Sequence, residues 1–364
     1  MRNTIIIIIF CLGSNPTFAQ DTDSTKGNNE TQFSDSIAKF NLLQKEFKES
    51  RDEYNNGIQL FELKNFSDAI NSFNKAISID STFIAAYYNR GICYLELSEP
   101  EKAVLDFTKT FLLDSTHILS LFKRADIYRT LNKNSLASSD YEKVLDLDEN
   151  NYKAYYELGV MSYLRNDYKG AIQLFSKSIA IKPTANAYND RASCYRMLKQ
   201  FDNAITDYND AILLDNALAF VYNNLAAIYR MNKATDKALN NYNLAISKNP
   251  NYAVAYNNRG RLYFETKDFS SAVADFDQAI SIDPDYAISY NNRGIIHHKN
   301  KDYTTAISDF DKAIELEKDY AKAYLNRGIS KQMKRDEDGS CSDWERALEL
   351  GIELAKKYLN NDCY

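Results

Sequence analysis

Asparagine side chains recur in this sequence at spacings that let their amides act as a set. Asn223 and Asn224, Asn257 and Asn258, and Asn291 and Asn292 are adjacent pairs 34 residues apart, and Asn326 extends the second member of the series. An amide carries both donor and acceptor, so a row of them matches the N–H and C=O of an extended peptide without any charge. The competing expectation is that these amides bond neighbouring helices and only punctuate a repeat. Earlier in the chain the slot of Asn223 is aromatic, with Tyr54, Tyr88, Phe122 and Tyr156 in turn. That stretch offers either an apolar contact surface or ordinary packing between repeats. The switch falls beside a single missing residue near Pro183-Thr184-Ala185.

Charged residues show a second regularity. Arg90, Arg124, Arg191, Arg259, Arg293 and Arg327 are each followed 16 residues later by an aspartate: Asp106, Asp140, Asp207, Asp275, Asp309 and Asp343. Where Asn56, Leu158 or Leu225 replaces the arginine, the aspartate is also missing, as Ser72, Leu174 and Asn241 show. The correlation predicts an Arg–Asp bridge between two helices of one unit, not catalytic carboxylates. As surface pairs they would contribute only ~0–1 kcal/mol each and serve register more than stability.

Other reactive residue types form no site. His297 and His298 are neighbours, so on a helix they point roughly 100° apart, and His117 falls in a turn. Neither a metal nor a cofactor is expected, for there is no zinc spacing, phosphate loop or nucleophile elbow. Cys93 and Cys194 occupy apolar slots and read as buried hydrophobes. Cys341 and Cys363 differ. A helix over 352–361, with Ile352, Ala355 and Leu359 on one face, would run back along the last unit and bring the two together. A disulfide closing that loop would contribute about 3 kcal/mol.

An internal repeat sets the helices on which these residues stand. Gly57, Gly91, Gly159, Gly260, Gly294 and Gly328 lie at multiples of 34 residues apart from the one deletion, with Ala125, Ala192 and Ala226 in the slots between. Twelve residues on comes an alanine, from Ala69 to Ala306, with Ser340 in the last unit, and four further on an aromatic, from Phe73 to Trp344. This predicts nine pairs of short amphipathic helices over residues 50–350. Each pair has an apolar face that only a stacked neighbour can bury.

Around that array, residues 1–19 read as a cleaved secretory signal. Arg2 starts it, Ile5 to Leu12 form the apolar core, and Thr17-Phe18-Ala19 precedes the cut, which places the chain in the periplasm or outside the cell. Residues 20–34 are polar and read as a disordered tether. Ile37, Phe40, Leu43 and Phe47 mark an N-terminal capping helix over 35–49, and 351–364 a C-terminal one. A net charge of −6 with no basic block argues against nucleic acid, and no later stretch is apolar enough to span a bilayer.

The repeat resembles the tetratricopeptide repeat, whose pattern places a small residue, an aromatic, an alanine and a second aromatic at these intervals. The resemblance implies an all-α solenoid, a right-handed superhelix of about nine helix-turn-helix units whose first helices line a concave groove. Asn224, Asn258, Asn292 and Asn326, with Asn55 and Asn89 earlier, are similar to the asparagine ladder in the repeats of O-GlcNAc transferases, where amides hold extended peptides. The lysines of the family's carboxylate clamp are absent from the slot that Tyr54, Tyr88, Phe122, Tyr156, Asn223, Asn257 and Asn291 occupy. The chain is therefore expected to be a non-enzymatic scaffold binding other proteins in its groove. The alternatives are an envelope or assembly component using the convex face, or a regulatory subunit of a larger complex. The sequence ends at Tyr364, just past the capping helix, and no appended catalytic domain is expected.

Overall fold

The computed structural model describes residues 25–363, and their side chains from residue 34 on. The expected signal over 1–19 lies outside the described residues. Nineteen α-helices and no strand occur among them. They divide into two compact blocks, one ending at Ile127 and one comprising Tyr128–Tyr364.

The first block contains α1 (Thr25–Glu62), α2 (Phe66–Ile79), α3 (Ile84–Glu96), α4 (Pro100–Leu113) and most of α5 (Ile118–Thr130). The second continues through α6 (Asn134–Leu147), α7 (Tyr152–Leu164), α8 (Tyr168–Ile181), α9 (Ala185–Met197), α10 (Phe201–Leu214), α11 (Ala219–Met231) and α12 (Thr235–Lys248). It ends with α13 (Ala253–Glu265), α14 (Phe269–Ile282), α15 (Ala287–Lys299), α16 (Tyr303–Leu316), α17 (Ala321–Met333), α18 (Glu337–Glu349) and the short α19 (Ala355–Asp362).

Within a pair, the small residue of the first helix admits the aromatic ring of the second. A Cβ added at Gly260 would lie 2.8 Å from Cε1 of Phe276, and one at Gly328 only 2.5 Å from Nε1 of Trp344. Where alanine holds the slot the ring is tyrosine, as with Ala192 and Tyr208 or Ala226 and Tyr242, which share buried clusters. The first helix always stops on a residue of positive φ: Lys64, Ser98, Asn132, Asn166, Lys199, Lys233, Lys267, Lys301 or Arg335. The next N–H then reaches back to a carbonyl of the last turn, as Asp302 does to His297 at 2.9 Å. This satisfies a helix end without glycine.

The arginines hold pairs in register, and more tightly than surface pairs would. Arg259 donates through Nε and Nη2 to both oxygens of Asp275, at 2.8 and 2.7 Å. The Asp275 side chain is only 7% exposed. The same bidentate contact joins Arg90 to Asp106, Arg191 to Asp207, Arg293 to Asp309 and Arg327 to Asp343. Arg124 and Asp140 are both buried as well. The expectation of exposed pairs is thus corrected, because the guanidinium lies under its own tyrosine ring, Tyr256 over Arg259 for example. A third N–H was not foreseen. Nη1 of Arg259 donates to Asn243 of the preceding pair at 2.6 Å, and Arg90 to Asn74, Arg293 to Asp277 and Arg327 to Asp311 likewise.

The two ends of the array differ. At the amino end α1 is one continuous helix, so no break separates the expected capping segment 35–49 from the first repeat, and the expected tether is already helical from Thr25. Ile37, Phe40, Leu43 and Phe47 are 46–60% exposed, so they cover nothing, and burial begins only at Ser50. Amphipathic spacing marks a face without saying that a neighbour exists to meet it. At the carboxyl end α19 packs Ala355 and Leu359 against Trp344 and Ala347, and a disulfide joins Cys341 to Cys363.

Candidate functional site

In the second block the asparagine pairs form a continuous ladder. Successive first helices present an inner position, three residues before the small slot, and an outer one beside it. The outer amide of each pair donates to the inner carbonyl of the pair before. Asn224 bonds Asn189 at 3.0 Å, Asn258 bonds Asn223 at 3.0 Å, Asn292 bonds Asn257 at 2.9 Å and Asn326 bonds Asn291 at 3.0 Å. The 35-residue offset is one repeat plus one position, so the rungs step evenly from helix to helix.

Inner and outer members therefore differ. Asn223, Asn257 and Asn291 are 4, 2 and 3% exposed. They are acceptors held inside the stack, and only the outer row stays partly open to solvent. Asn258, Asn292 and Asn326 are half-buried. Each spends one N–H on its rung, and among the described residues nothing takes its second N–H or its Oδ1. A donor and an acceptor thus remain side by side on each, the complement of one peptide unit.

A cavity of about 800 Å³ opens over the last rungs, lined by Asn291, Asn292 and Asn326 and floored by Ile288, Ile295, Leu325 and Leu354. Arg261 and Lys322 bring positive charge to its wall, and Glu265 and Glu317 negative charge. Glu265 is already engaged by Arg230 at 2.5 Å. Burial pushes the Tyr320 phenol on this wall up to about 12, with nearby Glu317 adding to it. An apolar floor with a few convergent polar groups is the usual build of a binding site.

The ladder changes character at Asp190, which takes the outer slot where later pairs carry asparagine. Here the direction reverses. The Tyr156 hydroxyl donates to Asp190 Oδ2 at 2.7 Å, and Asn189 Nδ2 donates to Oδ1 at 2.9 Å. Burial raises the Asp190 carboxyl above the ordinary aspartate range, against both hydrogen bonds. Sequence reading passed over this residue, although its departure from the asparagine series was visible.

The aromatic positions serve packing as much as surface. Tyr54 lies against Phe73 and Phe83 at 5.7 and 4.8 Å between centroids, and its hydroxyl accepts from Asn89 at 2.8 Å, a rung of the same geometry in the first block. Tyr88 packs on Phe107 and His117, and Tyr156 on Phe175. Phe122 is half-buried. Elsewhere, no three His, Cys, Asp or Glu side chains among the described residues converge as a metal site would need. His298 bonds the Ser330 hydroxyl, and His297 faces Asp309. Cys93 and Cys194 are buried and free, each thiol pushed up to about 12 by burial. No helix of the described residues is long and apolar enough to cross a membrane.

Comparison with known proteins agrees with the repeat architecture. Family models described as TPR repeat match residues 57–98 and 260–301, and others described as tetratricopeptide repeat match 122–186, 185–218 and 287–320. Together they cover more than half of the chain. The heat shock protein STI1 of Saccharomyces cerevisiae is 35% identical over 63 residues, which is 17% of this chain and 11% of that protein. The match therefore spans about a ninth of that relative's length. Among solved structures, the APC/C hetero-tetramer Cut9–Hcn1 superposes with a TM-score of 0.57 at 15% identity, over 86% of this chain and 76% of that one. A tetratricopeptide repeat protein from Parabacteroides merdae gives 0.55 at 17% identity, over 67% of this chain and 97% of that one. At such identities the likeness is one of fold.

Proposed function

Because this chain belongs to the tetratricopeptide-repeat family, we propose that it is a non-enzymatic scaffold holding other proteins through extended segments laid along the outer amide row. Proteins of the family generally mediate protein–protein contacts. The observation that carries the reading is the unspent donor and acceptor on each of Asn258, Asn292 and Asn326, the last two of which line the cavity with its apolar floor. Backbone recognition of this kind is tolerant of sequence, and specificity then comes from pockets beside the ladder.

The proposed setting is the periplasm or the outside of the cell. The signal-like residues 1–19 support it, and so does the Cys341–Cys363 disulfide, since such bonds persist in oxidising compartments. A mature protein whose amino terminus is Gln20 is the expected product.

A display library of twelve-residue peptides, panned on the full chain, tests the function. Asn258→Ala with Asn292→Ala should weaken retained peptides at least tenfold while circular dichroism and melting show a folded array. Retention unchanged by that double substitution, or no peptide retained at all, would remove the groove reading and leave the other faces of the helices as the candidates.

A further inference from the structure

Asp190 sits where the aromatic rungs give way to amides, and it opens onto a small pocket. That pocket, about 270 Å³, is lined by Val160, Tyr163, Leu164, Phe175, Asp190 and Ser193. Its walls are mainly hydrocarbon and ring, with Asp190 and Ser193 as polar members. Its volume lies just under the ~300–1,000 Å³ of sites for drug-sized ligands, which suits a single side chain.

The carboxylate in it is chemically unusual. Both partners of Asp190, the Tyr156 hydroxyl and the Asn189 amide, are neutral. No cation among the described residues pairs with it, whereas the buried aspartates of the bridges each hold an arginine. On its own helix, Arg191 is spent on Asp207, and Arg196 acts on Tyr163 and Tyr208. A buried charge is stable when a counter-charge meets it, and burial here already works against ionisation. Two hydrogen bonds also leave the carboxylate's remaining lone pairs open toward the pocket.

We infer that this pocket receives one lysine or arginine side chain of the bound segment, its hydrocarbon stem against Val160, Leu164 and Phe175 and its cation on Asp190. The inference rests on the scaffold reading and gives it a specificity position. The amide ladder holds the segment's backbone without regard to sequence, and Asp190 selects for a positive residue at one place along it. A neutral residue there leaves the carboxylate uncompensated, so discrimination comes from both gain and penalty.

The test uses the full chain and two simple probes, N-acetyl-lysine methylamide and its uncharged counterpart N-acetyl-norleucine methylamide, followed by methyl NMR of Val160 and Leu164. The expected result is saturable shifts with the lysine probe and at least tenfold weaker response to norleucine. Asp190→Asn should abolish that preference. Leu164→Arg should also abolish it, by seating a cation from the chain's own exposed helix face in the pocket. Equal responses to both probes, no response to lysine, or an unchanged preference in Asp190→Asn would overturn the inference. The peptide library separates the two claims. Peptides that bind through the ladder without a basic position leave the scaffold standing and remove the pocket's role, whereas a lysine response without peptide binding does the reverse.

Discussion

Arg259 closes on both oxygens of Asp275 and gives its remaining terminal nitrogen to Asn243, so one guanidinium ties together α12, α13 and α14. The contact is geometrically favourable and largely shielded, and its two partners do not contribute symmetrically. Asp275→Ala leaves a guanidinium with little solvent and should cost on the order of 3 kcal/mol in urea unfolding. Arg259→Met with Asp275→Leu removes both charges and should recover most of that loss. A double variant no better than the single one would mean that the hydrogen bonds, not the desolvated charge, carry the contact.

Glycine against ring packing sets a second expectation. Gly91 faces Phe107 so closely that an added Cβ would lie 2.9 Å from Cε1. Gly91→Leu should therefore lose about 1–3 kcal/mol or more, measured as a lower urea midpoint, because the two helices must separate.

At the turns the strain runs the other way. Lys301 adopts a φ of 65° with an ordinary side chain, a conformation that disfavours every residue with a Cβ. Lys301→Gly should stabilise the array by about 0.5–1 kcal/mol, the relief exceeding the added freedom of the unfolded chain. A lower urea midpoint would show that the lysine side chain contributes contacts outweighing its backbone cost.

The carboxyl-terminal cap has a built-in reporter. Trp344 is the single tryptophan, fully buried and stacked on Tyr358 of α19 with centroids 5.0 Å apart. The disulfide closes a span of 22 residues, for which loop entropy gives about 3 kcal/mol. After reduction, the red shift of Trp344 emission should occur at lower urea than before. Coincident curves would show that packing alone holds α19.

Asp190 should leave a signature in the pH dependence of stability. Its native carboxyl titrates above the ordinary range because of burial, so the native state keeps a proton that the unfolded chain releases. Stability from this group is thus lost as pH rises through the raised value, and regained on acidification. Tyr156 and Tyr163 from α7 and Cys194 from α9 are the titratable groups near it. Thermal melts should show wild type gaining on Asp190→Asn as the pH falls from 7 toward 4. A constant difference would mean the carboxylate is not penalised in the fold.

Much of this architecture could be read from residue types, because period and packing are the same fact. A small residue and a ring separated by a fixed interval must meet if the helices are to close. The Arg–Asp correlation was legible for the same reason, yet its shielding was not, since that depends on where Tyr256 lays its ring. The third arginine contact had a trace in the polar residues at Asn74, Asn243, Asp277 and Asp311, one repeat element upstream. Adjacent asparagines look equivalent in a string. One helical step of rotation makes Asn257 an interior acceptor and Asn258 an outward-facing group. Before Ser50, α1 has a periodic apolar face with no neighbour among the described residues to cover it, because periodicity reports a face and not what meets it.

The rungs of the amide ladder remove side-chain disorder in advance. A free asparagine on a surface helix turns among rotamers, and any ligand must halt that motion, at about 0.5–1.5 kcal/mol for each side chain stilled. Asn258, Asn292 and Asn326 are already halted by the helix behind them. On the proposed function, a segment settling on three such groups would meet a surface frozen in advance, and calorimetry should find little entropy lost by the receptor.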